Sequence, residues 1–234
     1  MFLYIIRHGD PDYDKDCLTE RGKRQAEALS KRLAESGITK VFSSPMGRAK
    51  ETAEPTCRRL GIEYQVVDWM HEISEYVRAW NPDGTLKYHI SLLPAASMRK
   101  SGAEDLGFYG CLDAFPMKET RMKEAMEKIS ANSRVFLAEL GYEKQENVYK
   151  IVTPSNERVA VFCHTGFGRA WISELLHIPL NIMWCSNYTH TGVTVLEFEN
   201  SETGFTAPKL LCYSDMSHLY AAGLDMIYNG KFKI

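Results

Sequence analysis

Phe2-Leu3-Tyr4-Ile5-Ile6-Arg7-His8-Gly9 opens the chain with a short apolar run stopped by charge, and its reading decides the fold. Five apolar residues without alternation suit a strand buried on both faces of a largely parallel sheet, and His8 then falls at the strand's carboxyl end. Working outward, Thr19 is a good N-cap for a helix whose Ala26, Leu29 and Leu33 recur at helical spacing until Gly37. A strand is expected over 40–43. Ser44-Pro45 then reads as an N-cap and first helical residue, opening a helix toward Leu60 and Gly61 with Arg48 in its first turn. Pro55 lies inside that helix and should bend it without ending it. A third strand is expected over 64–67.

From about residue 76 to 117 the periodicity fades amid Asn81-Pro82-Asp83-Gly84, Pro94, Gly102 and Gly110, which marks an insertion. Regularity returns over 118–140, where Met122, Met126, Ile129, Phe136 and Leu140 share one helical face. A strand over 159–163 runs into His164, a helix follows over about 167–177, and the final strands are expected over 193–198 and 205–212. Strand and helix alternate, so the fold class is α/β, with ligands collecting beyond the carboxyl ends of parallel strands. Residues 1–234 read as one domain carrying the insertion.

Composition narrows the function classes. The chain has 234 residues, 44% hydrophobic and 25% charged, enough for a sizeable core, and a net charge of −2 gives no global reason to expect nucleic-acid or membrane binding. The apolar start is too short for a signal peptide, and no stretch reaches the roughly 18 apolar residues of a membrane span. Six cysteines lie far apart without a CxxC pair, which suits reduced thiols in a cytoplasm.

Three segments carry the chemistry. Arg7-His8-Gly9 places a guanidinium, an imidazole and a bare backbone in succession: a donor fork for phosphate, a nucleophilic nitrogen and room for close approach. The segment 43–53 combines a strand end, a helix N-terminus and Arg48, a turn suited to an anion. Cys163-His164-Thr165-Gly166 repeats the strand-histidine-glycine pattern. Taken singly, each has a plain structural reading: a strand-end histidine, a surface arginine, a core histidine.

Together, in this order, these segments resemble the histidine phosphatase superfamily, which includes phosphoglycerate mutases. The likeness extends to Leu18-Thr19-Glu20-Arg21-Gly22 with Gln25-Ala26, to Met70-His71-Glu72, and to Ile178-Pro179. The resemblance implies a three-layer α/β fold, a mixed, mostly parallel sheet flanked by helices, with a phosphate pocket of Arg7, His8, Arg48 and His164. It implies His8 as the nucleophile that becomes a phosphohistidine and Glu72 as the proton donor, with Glu75 as the nearest competitor. No cofactor and no metal are implied; arginine and histidine charges take that place. The expected partner is a small phosphorylated substrate, and nothing in the sequence fixes an oligomeric state.

Between Gly9 and Leu18 the chain departs from the pattern. Many relatives have a longer loop with an asparagine, whereas here Asp10, Asp12, Asp14 and Asp16 alternate in a short acidic loop. A solvated loop is expected rather than a calcium site, which also needs a suitable glycine and a distal bidentate acid. In the insertion, Trp80, Tyr88, Met98 and Arg99 form either a pocket lid or, the preferred reading, a satellite core. Three functions remain: a phosphatase acting on a phosphate monoester, a phosphoglycerate-type mutase, and a noncatalytic phospho-ligand binding domain. The phosphatase is preferred over the mutase because residues 76–117 show no match to a substrate-enclosing segment. Intact Arg7, His8, Arg48, Glu72 and His164 argue against the noncatalytic reading.

Overall fold

A computed structural model describes residues 1–100, 102–228 and 232–233. Its main sheet contains β1 (Phe2–Arg7), β2 (Lys40–Ser43), β3 (Tyr64–Val66), β4 (Arg158–Cys163), β5 (Val193–Glu197) and β6 (Lys209–Asp215), in the spatial order β6-β5-β1-β4-β2-β3. β1 pairs parallel with β4, β4 with β2, and β2 with β3, while β5 runs antiparallel to both β1 and β6. The fold is the expected α/β one, with a mixed, mostly parallel sheet.

Four helices flank it: α1 (Glu20–Glu35), α2 (Gly47–Leu60), α3 (Met122–Glu139) and α4 (Thr165–Leu176). The period of two along a strand sorts them into layers. On one face Ile6, Val41, Ala160 and Phe162 pack with Leu29 and Leu33 of α1 and Ala53 and Cys57 of α2. On the other face Leu3, Ile5, Val159 and Val161 pack with Ile129 and Phe136 of α3 and Phe167 and Trp171 of α4. Trp171 is wholly buried there, its ring within 6 Å of those of Trp69, Phe136 and Phe167, and its indole N–H donates to Ser133 Oγ at 2.8 Å.

Most expected elements appear within a few residues of their anticipated bounds. Thr19 caps α1, accepting from the Gly22 amide at 3.1 Å, and α2 continues through Pro55. Three readings need correction. α2 begins at Gly47, not at Pro45, because Ser44 is buried and its hydroxyl is engaged elsewhere. Phe205–Thr206 does not belong to the final strand of the main sheet; it pairs with Val148–Ile151 in a separate three-stranded sheet that also includes Tyr142–Gln145. That hairpin escaped notice because its strands are only four residues long and mostly polar, with Tyr142 and Tyr149 as their fully buried side chains.

The third correction concerns residues 76–117, which form a hairpin of Arg78–Trp80 with Leu86–His89 followed by short helical turns. Their apolar side chains do not make a satellite core. Ile90, Met98, Phe108, Leu112 and Met117 are buried in the same cluster as α3 and α4. Tyr88 anchors the hairpin by donating to Pro116 O or Glu119 Oε2, each at 3.1 Å, whereas Trp80 is half exposed.

Candidate active site

Strand register assembles the site. Arg7 pairs with Cys163 and Phe162 with Ser43, so the residues that follow, His8, His164 and Ser44, emerge side by side at the carboxyl ends of β1, β4 and β2. The His8 amide donates to Cys163 O at 2.9 Å and the Ser44 amide to Phe162 O at 2.9 Å, extending the ladder to the turns. The His8 and His164 ring centroids lie 5.2 Å apart. α2 is tied to the same point by Thr52, whose hydroxyl accepts from the Gly9 amide at 3.0 Å and donates to Arg48 O at 2.7 Å.

His8 is held in a definite orientation. Its Nδ1 lies 2.7 Å from Gly9 O, and a carbonyl can only accept, so Nδ1 carries the hydrogen and Nε2 the free lone pair. Burial, then Arg7 and His164, push its pKa well below the ordinary value, and the imidazole is neutral at pH 7. Burial likewise lowers His164, helped by Arg48 and Arg7. Ser44 Oγ already accepts from the Met46 amide at 3.3 Å and lies 2.7 Å from His164 Nε2. The Ser44 hydroxyl can donate to that nitrogen or accept from it, while His164 Nδ1 has no partner among the described residues.

Glu72 reaches the site from the other face. Its Oε1 accepts from the Ile73 amide at 2.9 Å and the Phe167 amide at 3.0 Å, and Oε2 from the Gly166 amide at 3.2 Å, so the carboxylate sits on the first turn of α4 next to His164. Gly166 permits this approach, since a Cβ there would lie 2.7 Å from Glu72 Oε1. Glu75 instead points to solvent, paired with Arg78 at 2.6 Å.

Arg7 and Arg48 complete the surround. Arg7 is steered by a hydrogen bond from Nη1 to Tyr188 O at 2.6 Å, and Arg48 is buried with Nη1 2.5 Å from Asp16 Oδ1. Buried polar atoms without a hydrogen-bond partner among the described residues gather here: Arg7 Nε, Arg48 Nε, His164 Nδ1, Thr165 Oγ1, Asn187 Nδ2 and His190 Nε2. Most are donors, and native interiors rarely leave such groups unpaired. An anion with several acceptor oxygens fits them.

Some site residues escaped the sequence reading. His190 lies 5.6 Å from the His8 ring on the side of β5, because the Thr191 amide donates to Arg7 O at 3.0 Å and brings the antiparallel strand's start to the end of β1. Burial, Arg7 and Arg21 lower its pKa to about 2. Its signal was present: His190-Thr191-Gly192 repeats His164-Thr165-Gly166. Arg169 is buried over the Trp184 ring and donates to Ser186 O at 2.5 Å. The acidic loop is not simply solvated, since Tyr13 sets its ring edge-on to His8 and below Arg48, and Asp16 grips α2.

A family profile described as histidine phosphatase superfamily (branch 1) matches residues 3–81 and 137–209, which contain all of these site residues. The chain belongs to the histidine phosphatase superfamily. Among curated histidine phosphatase relatives, it is 24% identical over 224 residues to a putative phosphoserine phosphatase of Hydrogenobacter thermophilus, covering 91% of this chain and 97% of that one. It is 20% identical over 237 residues to a probable phosphoglycerate mutase of Erwinia tasmaniensis, covering 95% and 97%. The fold matches the phosphoserine phosphatase of Entamoeba histolytica bound to 3-phosphoglyceric acid, with a TM-score of 0.61 at 19% identity, covering 93% of this chain and 98% of that one. It matches a mycobacterial glucosyl-3-phosphoglycerate phosphatase bound to inorganic phosphate with the same score, identity and coverage.

Proposed function

We propose that this histidine phosphatase hydrolyses a small phosphate monoester in two steps through His8. The observation that carries the reading is the convergence of unpaired buried donors around a neutral imidazole whose Nε2 lone pair is free. Phosphate esters resist hydrolysis mainly for want of positioning and charge stabilisation, which Arg7, Arg48 and His164 are placed to supply without a metal ion.

In the first step the His8 Nε2 lone pair attacks phosphorus and the bond to the ester oxygen breaks, with Glu72 giving that oxygen a proton. Oε2, which accepts only one amide, is the atom assigned to carry it. The resulting N–P bond leaves Nδ1–H on Gly9 O, so the ring bears positive charge and is a good leaving group. In the second step water attacks phosphorus, Glu72 takes its proton, the N–P bond breaks and phosphate departs.

The same site could return the phosphoryl group to another hydroxyl, as the name of the Erwinia relative suggests for that protein. The phosphatase is favoured because Ile90, Met98, Phe108, Leu112 and Met117 tie residues 76–117 into the core, which opposes closure of the segment over a retained intermediate. We read the whole chain as one catalytic domain bearing that insertion. No disulfide links the six cysteines, which fits a reducing cytoplasm, and no helix among the described residues is long and apolar enough to cross a membrane.

Rapid quenching with a phosphate ester should trap an acid-labile phosphoramidate on His8, and His8→Ala should abolish turnover. Phosphate on Ser43, Ser44 or Cys163 overturns the assignment. Activity should survive EDTA. With 2- or 3-phosphoglycerate, isomerisation far outpacing phosphate release establishes the mutase instead.

A further inference from the structure

The loop between β1 and α1 lacks the asparagine found in longer relatives, yet it is fastened at both ends. Asp10 O accepts from the Thr19 amide at 3.0 Å and lies so close to Gly22 that a Cβ there would come within 2.2 Å of it. At the other end the Leu18 amide donates to Glu51 Oε2 at 2.7 Å. Between these anchors Asp16 takes a left-handed backbone conformation (φ 49°) and turns its carboxylate onto the start of α2.

There its two oxygens divide the work. Oδ2 accepts from the Gly47 amide at 2.6 Å, supplying the cap that Met46 cannot, and Oδ1 accepts from Arg48 Nη1 at 2.5 Å. Gly47 is needed for this contact, because a Cβ would fall 2.1 Å from Asp16 O. Arg48 is thereby held at Nη1, with Nη2 only weakly engaged at 3.3 Å from Met46 Sδ, while its buried Nε has no partner among the described residues.

We propose that Asp16 is a positioning residue for Arg48, a role that rests on the phosphatase reading above. It sets the helix start and the guanidinium as one rigid unit, so that the remaining donor edge of Arg48 meets the phosphoryl group without reorganisation. The alternative, a carboxylate that occupies the phosphate seat and must leave, is disfavoured by the backbone contact with Gly47 and by the anchors on α1 and α2. An arginine left without this partner keeps its charge and loses its aim.

The test is binding of orthovanadate and of inorganic phosphate, measured by calorimetry on the full chain, with thermal melts to confirm folding. Asp16→Ala should weaken both by about tenfold, the scale of a lost hydrogen bond to a charged group. Asp16→Asn, which keeps the shape and one acceptor, should weaken them less and serves if the alanine variant does not fold. In an Arg48→Ala background Asp16→Asn should have no further effect, since the two act as a unit. Unchanged or tighter anion binding by the Asp16 variants, or penalties that simply add in the double variant, overturns the proposal. Failure of the unaltered protein to bind either anion overturns the phosphatase reading instead.

Discussion

The turns at the carboxyl ends of β1, β4 and β2 and the segment 76–117 are both irregular, yet they are built on opposite terms. The turns bury polar and charged side chains, His8, Ser44, Arg48 and His164, and leave several of their donors unpaired. The segment buries apolar ones, Ile90, Met98, Phe108 and Leu112, and holds its polar groups at the surface. An unpaired buried donor is costly and a buried methionine is not. Unpaired polarity therefore marks where this molecule expects a ligand, and apolar burial marks where it only expects to fold.

The largest effect that can break this contrast lies at Glu72. Glu72→Gln should lower kcat by about 10²- to 10⁴-fold for esters with poor alkoxide leaving groups and far less for nitrophenyl esters, the range expected of a general acid. Glu75→Gln, altering a surface pair with Arg78, should be mild. Gly166→Ala should approach the Glu72 result, because its Cβ would fall 2.7 Å from the carboxylate and displace it from α4. The opposite pattern between positions 72 and 75 moves the proton donor three residues along.

The same contrast explains what could be read in the sequence. A continuous apolar strand ending in Arg7-His8-Gly9 announces itself, because burial on both faces leaves no polar residue before the turn. His164 was legible for the same reason, and Arg48 from its place in the first turn of the following helix. Ser44 was not, since a serine before proline satisfies capping rules, and only the pairing of β2 with β4 sends its hydroxyl to His164. His190 left a local pattern, the repeated His-Thr-Gly, but its place beside His8 depends on β5 arriving antiparallel, and Asp16 depends on two anchors far apart in the chain, which leave no local pattern. In the segment 76–117 no period existed to be read, so the depth of its burial came only with the fold.

Next in size is packing. Trp171→Ala should cost about 3–5 kcal/mol in chemical denaturation, as for other large buried aromatics, and Met98→Ala about 2–5 kcal/mol. If Met98→Ala costs under about 0.5 kcal/mol, the segment is not part of the core and the contrast fails.

Acid should sharpen the comparison. His8 and His164 are held well below the ordinary histidine pKa, His190 at about 2, and His218 at about 4 through burial and Arg32, whereas the segment 76–117 holds only His89. The unfolded chain protonates these groups near pH 6.5 while the native one does not. Stability is thus full above about pH 6.5 and falls with pH below it, by about 1.4 kcal/mol per pH unit for each such histidine. Denaturation at pH 7.5 and 5.5 measures the loss, and His190→Gln should make it shallower. Equal stability at the two pH values shows that these rings are not held neutral.

The smallest expected effects belong to the segment's exposed residues. Leu92 is 82% exposed, and Leu92→Ser should change stability by no more than about 0.5 kcal/mol, as for surface positions away from special features. Half-exposed Trp80, replaced by alanine, should be similarly mild in denaturation. Their kinetics carry more information than their stability. A residue that only borders solvent leaves kcat and KM alone for every ester, whereas one that touches the leaving group raises KM for a bulky ester and spares a small aryl phosphate. We expect neither variant to alter kcat for the aryl phosphate, because the phosphoryl pocket is built from turns that the segment does not supply. A fall in kcat would mean that residues 76–117 help to organise His8 or Glu72, and the division between the two regions would have to be redrawn at the hairpin.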